Sequence, residues 1–117
     1  MTPDPRTASL PAAVRRLLET APEASLPLTY QQVAEALGLE PPRTIHRVAL
    51  ALEALMREDV AAGRPCIAAL VVSRRGALPQ RGFFDLAVAL GRFPADPAQH
   101  AAAYRQEYRR ALAGRGG

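Results

Sequence analysis

The chain has 117 residues, the size of one domain, and 49% of them are apolar, enough to bury a core. No apolar run reaches the roughly 18–20 residues that a bilayer span requires, so a membrane-spanning role is excluded at the level of sequence. All 15 basic residues are arginine, set against 11 acidic residues for a formal charge of +4, a balance that permits a polyanionic partner without requiring one.

Residues 1–8 contain two prolines and little apolar content, and are expected to form a flexible arm. They show neither the charged start nor the apolar stretch of a secretory leader, which gives a cytoplasmic expectation. Ser9 stands where it can cap a first helix, with Pro11 in the opening turn. Val14, Leu17 and Leu18 recur at helical spacing, with Arg15, Arg16 and Glu19 on the wet side, and the stretch 22–27 ends the helix. Thr29 and Gln32 have the spacing of a capping box, in which each side chain satisfies a backbone donor at a helix start. Tyr30, Val33, Ala34 and Leu37 make the buried stripe of this second helix, and Gly38 supplies its left-handed end.

A longer helix is predicted over 43–62, with Ile45, Val48, Leu52, Leu55 and Met56 on its apolar face. Glu53, Arg57, Glu58 and Asp59 are expected on its solvated side, and Gly63 stops it. The periodicity then changes. The run 67–72, with two adjacent valines, predicts a strand, and Arg74-Arg75-Gly76 predicts a turn after it. Ala77 and Leu78 would return as a second short strand, completing a small β-hairpin before Pro79 interrupts it. The run 82–90 reads as either a short buried helix or a strand; Phe83, Leu86, Ala87 and Leu90 fit one helical face and favour the helix. Asp96 caps a last helix over 97–112, and 114–117 reads as a disordered tail. The expected architecture is therefore mainly α with a small β-hairpin: a winged-helix-like helix-turn-helix with an additional C-terminal helix, in a single domain over 9–113.

The pattern over 29–52 carries the functional expectation. A capped short helix, a small Ala34 where two helices would cross, a glycine turn and a second helix make up a helix-turn-helix. The first turn of the second helix would meet base edges in a major groove, and it carries Arg43, Thr44, His46 and Arg47, all able to hydrogen-bond DNA. Arg74 and Arg75 at the tip of the expected hairpin, followed by Arg81, would grip phosphate as a basic wing, and Tyr30 joins them as a candidate contact. Double-stranded DNA is the partner these residues imply. A second reading is a protein-interaction module, a phage-related or host regulator, that uses Phe83, Phe84 or the last helix with its Tyr104, Arg105, Tyr108, Arg109 and Arg110. No metal, cofactor or catalytic set is expected. His46 and His100 have no ligand spacing with Cys66 or with carboxylates, and no phosphate-cradling glycine loop or nucleophile elbow is present.

The segment Leu28-Thr29-Tyr30-Gln31-Gln32-Val33-Ala34-Glu35-Ala36-Leu37-Gly38 resembles the Thr-Tyr-Gly-x-(Ile/Leu)-Ala-x-x-x-Gly stretch of the O6-alkylguanine-DNA alkyltransferases and alkyltransferase-like proteins. Pro65-Cys66, followed by Ala69-Leu70-Val71-Val72 and Gly76, is similar to that family's Pro-Cys-His-Arg-Val-Val…Gly active-site strand and turn. The likeness covers about 14–90. It implies a winged-helix DNA-binding domain, and it raises a third reading, a DNA lesion sensor. The chain departs from the pattern at the chemistry. Ile67 and Ala68 stand where the family has His-Arg, so the histidine that activates the cysteine is missing. Two extra residues separate Cys66 from the valine pair. The family's intercalating arginine falls near His46 or Arg47, of which only Arg47 could act as the wedge. A thiol beside apolar residues keeps an ordinary or raised pKa, so alkyl transfer to Cys66 is not expected and the chain reads as non-enzymatic. The stretch 69–87 also resembles one found in bacterial and phage proteins, a likeness that implies no function.

Overall fold

A computed structural model describes residues 9–115. Five helices carry the fold: α1 (Leu10–Thr20), α2 (Tyr30–Ala36), α3 (Thr44–Ala61), α4 (Arg81–Ala89) and α5 (His100–Gly114). Two strands of two residues each, β1 (Leu28–Thr29) and β2 (Val71–Val72), complete a mainly α architecture, together with short 3-10 turns at Glu23–Ser25, Ile67–Leu70 and Pro97–Gln99. Among the described residues, no helix is long and apolar enough to cross a membrane. The arm expected over 1–8 lies outside the described residues.

The helix ends follow from their local chemistry. The Ser9 side chain accepts the Ala12 N–H at 3.2 Å and starts α1. The capping box of α2 is complete: Thr29 Oγ1 accepts from Gln32 N–H at 3.1 Å, and Gln32 Oε1 accepts from Thr29 N–H at 2.9 Å. At the other end, Gly38 has φ +66°, the Gly38 N–H donates to the Glu35 carbonyl, and the Leu39 N–H donates to the Ala34 carbonyl. This pair of bonds makes a Schellman turn, which needs a left-handed residue at that position.

Helix α3 runs through the centre and packs against α1, α2, α4 and the 3-10 turn Ile67–Leu70. Val14 and Leu18 from α1, Val33 from α2, Val48, Leu55 and Met56 from α3, and Leu70 and Val71 are all fully buried. Each such side chain contributes roughly 1.5–3 kcal/mol of burial free energy.

Three expectations are corrected. The run 67–72 is not a continuous strand. Ile67–Leu70 coils into a buried 3-10 turn, because side chains take its backbone groups out of any ladder: Glu107 accepts the Cys66 N–H, Asp59 accepts the Ile67 N–H, and the Tyr104 hydroxyl donates to the Ala69 carbonyl. Nor do the described residues form a β-hairpin. β2 pairs with β1 in parallel, Leu28 opposite Val71 and Thr29 opposite Val72. The segment 73–78 is a turn closed by Ser73 N–H donating to the Leu78 carbonyl at 2.7 Å. Gly76 and Ala77 both sit in the left-handed region there, at φ +80° and +53°, which curls the chain instead of extending it into a second strand. Finally, the last helix runs further than expected. Gly114 closes α5, and the Arg115 guanidinium donates to the carbonyls of Leu18 and Ala21, binding the end of α5 to the end of α1. Residues 116–117 lie outside the described residues.

Candidate nucleic-acid interface

The parallel pairing of β1 with β2 sets the start of α2 beside the arginine-bearing turn. Between them lies an open groove of about 460 Å³, lined by Thr29, Tyr30 and Gln31 of β1 and α2, Ile45 of α3, and Ser73, Arg74, Arg75 and Gln80 of the turn. An adjoining groove of about 250 Å³ runs from Arg74 along Gln31, Gln32 and Glu35 of α2. Tyr30 is core: it is 5% exposed, and its hydroxyl accepts the Gln80 N–H at 2.9 Å. Its place in the groove is as a wall and as a latch on the far end of the arginine turn. Burial raises the Tyr30 hydroxyl pKa above its ordinary value.

Arg43, His46 and Arg47 are exposed, and Thr44 is half-buried as the first residue of α3. Arg43 is the N-cap of α3 in a left-handed conformation, φ +65° and ψ +29°, with no side-chain cap on the helix. A non-glycine residue there costs about 1 kcal/mol, which the surrounding chain must hold in place. Leu50, one turn further along than His46 and Arg47, is 51% exposed, so the outer face of α3 has an apolar element above its cations.

Ion pairing separates the arginines into two groups. Arg15, Arg57, Arg64, Arg81 and Arg92 pair with carboxylates. Among the described residues, no carboxylate lies within salt-bridge distance of Arg43, Arg47, Arg74 or Arg75. Arg81 differs from the other residues expected at the interface: it opens α4 and faces Asp85 at 3.7 Å, and the groove lining ends at Gln80. Phe83, expected as a possible partner surface, is core. Its ring meets Phe84, Phe93 and Tyr104 edge-on, and the half-buried Phe84 stacks on His100 with ring centres 5.5 Å apart.

Two buried carboxylates escape the sequence reading. Asp59, expected on the solvated side of its helix, is fully buried. Its Oδ1 meets Arg15 at 2.9 Å and Arg64 at 3.0 Å, and its Oδ2 accepts the Ile67 N–H at 3.0 Å. Glu107, 3% exposed, accepts the Cys66 N–H and an Arg92 Nη1 hydrogen through one oxygen, both at 2.6 Å. Both residues lie on apolar stripes, Asp59 seven positions after Leu52 and Glu107 three after Tyr104, and that spacing was the available signal.

Cys66 is 1% exposed. Burial, followed by the neighbouring Glu107 carboxylate, pushes its thiol from 9.0 up to about 12, against the opposing pull of Arg92. Because the folded value lies above the unfolded one, the neutral thiol stabilises the fold fully below about pH 9, and that stabilisation is lost as pH climbs towards 12. The urea midpoint is expected to fall above pH 9, with Cys66 supplying up to about 1.4 kcal/mol per pH unit. In Cys66→Ala the fall should be shallower; an identical slope in the variant would refute this assignment. Among the described residues, no three His, Cys, Asp or Glu side chains come together as a metal site would require. The chain matches no protein family, no curated relative and no solved structure.

Proposed function

We propose that the chain is a non-enzymatic protein that binds double-stranded DNA, with Arg43, Thr44, His46 and Arg47 of α3 meeting base edges and Arg74 and Arg75 holding the phosphate backbone. One observation carries the reading: the groove whose lining joins the first turn of α3, at Ile45, to Arg74 and Arg75 on a turn distant in sequence. A recognition helix needs phosphate contacts alongside it to fix its register, and this groove sets the cations beside the helix start. Lack of carboxylate partners within the described residues leaves these four guanidiniums available for phosphate and guanine edges. The resemblance of 28–38 to the alkyltransferase helix-turn-helix supports the same partner. Alkyl transfer is left out of the proposal, because Cys66 is buried and its thiol is held protonated.

A mobility-shift titration with random duplex at two salt concentrations tests it. With Arg74 and Arg75 on phosphate, log affinity should fall with log salt at a slope of roughly −2, a loss on the order of tenfold between 50 and 200 mM. No shift at low salt, or an affinity indifferent to salt, would remove the proposal.

A further inference from the structure

At the opposite end of α3, α1, the end of α3 and the end of α5 enclose a second pocket, of about 220 Å³. Arg15, Arg64 and Arg115 each come to it from a different element, over an apolar floor that includes Ile67 and Ala111. We infer that this pocket is a binding site for a small, singly charged organic anion, a carboxylate carried on a compact apolar body.

Four observations support the inference. First, the guanidiniums are held in place. Asp59, fully buried, grips Arg15 through Nη2 and Arg64 through Nε on a single oxygen, and Arg115 is anchored through Nη1 to the backbone carbonyls at the end of α1. Second, each guanidinium spends only one nitrogen in this way. Among the described residues its other nitrogens make no hydrogen bond, so several N–H groups of the fork remain for a ligand. Third, the charges around the pocket are balanced. Three guanidiniums, Asp59 and Glu19 line it, and Glu58 meets Arg15 at 3.4 Å from beside it. With no surplus of positive charge, and with Glu19 in the lining, the pocket disfavours a dianion, and the free N–H groups suit a monoanion at most. Fourth, convergent polar groups over an apolar floor are what a small-molecule site needs to fix both orientation and body.

The site is independent of the DNA reading, since α3 spans 18 residues, about 27 Å, between the two ends. Benzoate serves as the probe, with benzamide as its neutral isostere and sodium chloride at matched ionic strength as the control. Benzoate at ten times its dissociation constant is expected to raise the melting midpoint by about 5 °C, and benzamide to leave it unchanged. The benzoate shift should fall sharply in Arg64→Gln, whose side chain is 54% exposed and so tolerates replacement. It should persist in Arg105→Gln, which removes the same charge from the exposed side of α5. As a readout that does not depend on any variant folding, the Nε–H signals of Arg15 and Arg64 should move with benzoate in NMR spectra while that of Arg105 stays. A midpoint shift no larger than that from sodium chloride, a shift retained in Arg64→Gln, or an Arg64 signal that stays still would each overturn the inference.

Discussion

Replacing Asp59 by Ala is expected to cost the fold about 3–5 kcal/mol, a large share of the 5–15 kcal/mol that holds a domain of this size together. The carboxylate is fully buried and satisfies three donors: Arg15, Arg64 and the Ile67 N–H. Without it, the Ile67 N–H is stranded in the core, and the Arg15 guanidinium, 21% exposed, is left half-buried beside a cavity with one fewer counter-charge. The Arg64 contribution is small, because that side chain is 54% exposed and screened by solvent. The neighbouring Glu58→Ala is the control. Glu58 meets Arg15 at 3.4 Å but is 56% exposed, and its loss should stay within about 0.5 kcal/mol. Urea denaturation followed by far-ultraviolet circular dichroism distinguishes the two. Similar losses in both variants would mean that Asp59 is less deeply engaged than its contacts indicate.

The second large effect concerns binding. Arg47→Ala should weaken DNA binding by about 1–3 kcal/mol and flatten base preference at one position while leaving the salt slope nearly intact, if Arg47 reads a base edge. The double variant Arg74→Ala/Arg75→Ala should behave differently: a loss that is uniform across sequences, with the salt slope reduced by roughly 2. Competition with a randomised duplex pool at several salt concentrations separates the patterns. If the Arg74/Arg75 variant kept the full slope, those residues would not be on phosphate. If Arg47→Ala lowered the slope and left sequence preference unchanged, the roles assigned here would be reversed. Both variants replace exposed side chains, so the stability of the fold should be little changed.

The sequence made the helices readable because their signals are local. Ser9, the Thr29/Gln32 pair and Gly38 act within four residues of the ends they define, and they appear in the structure as written. The parallel pairing of Leu28–Thr29 with Val71–Val72 had no such signal. Two residues are too few to show a period, and the partner strand lies far away along the chain. The valine pair therefore announced a strand without saying which edge it would join. Asp59 and Glu107 were obscured in another way. Their positions continue apolar stripes, but charge ordinarily marks a wet face, and the arginines that neutralise them, Arg15 and Arg92, come from elements whose placement only the fold reveals. The candidate interface was legible in part. Arg43, His46 and Arg47 are exposed and Arg74 and Arg75 line the groove, whereas Tyr30 is a wall and Arg81 has its own carboxylate.

The pairing of β1 with β2, reinforced by the Tyr30–Gln80 bond, means that neither half of the cationic groove is a module in its own right. A fragment cut out around α2 and α3 would carry the first turn of α3 without the arginine turn beside it. Inserting residues between α3 and β2 would lengthen the loop that must close before the arginine turn finds its seat, slowing assembly more than it weakens the finished molecule. The groove exists only where two distant stretches of backbone meet.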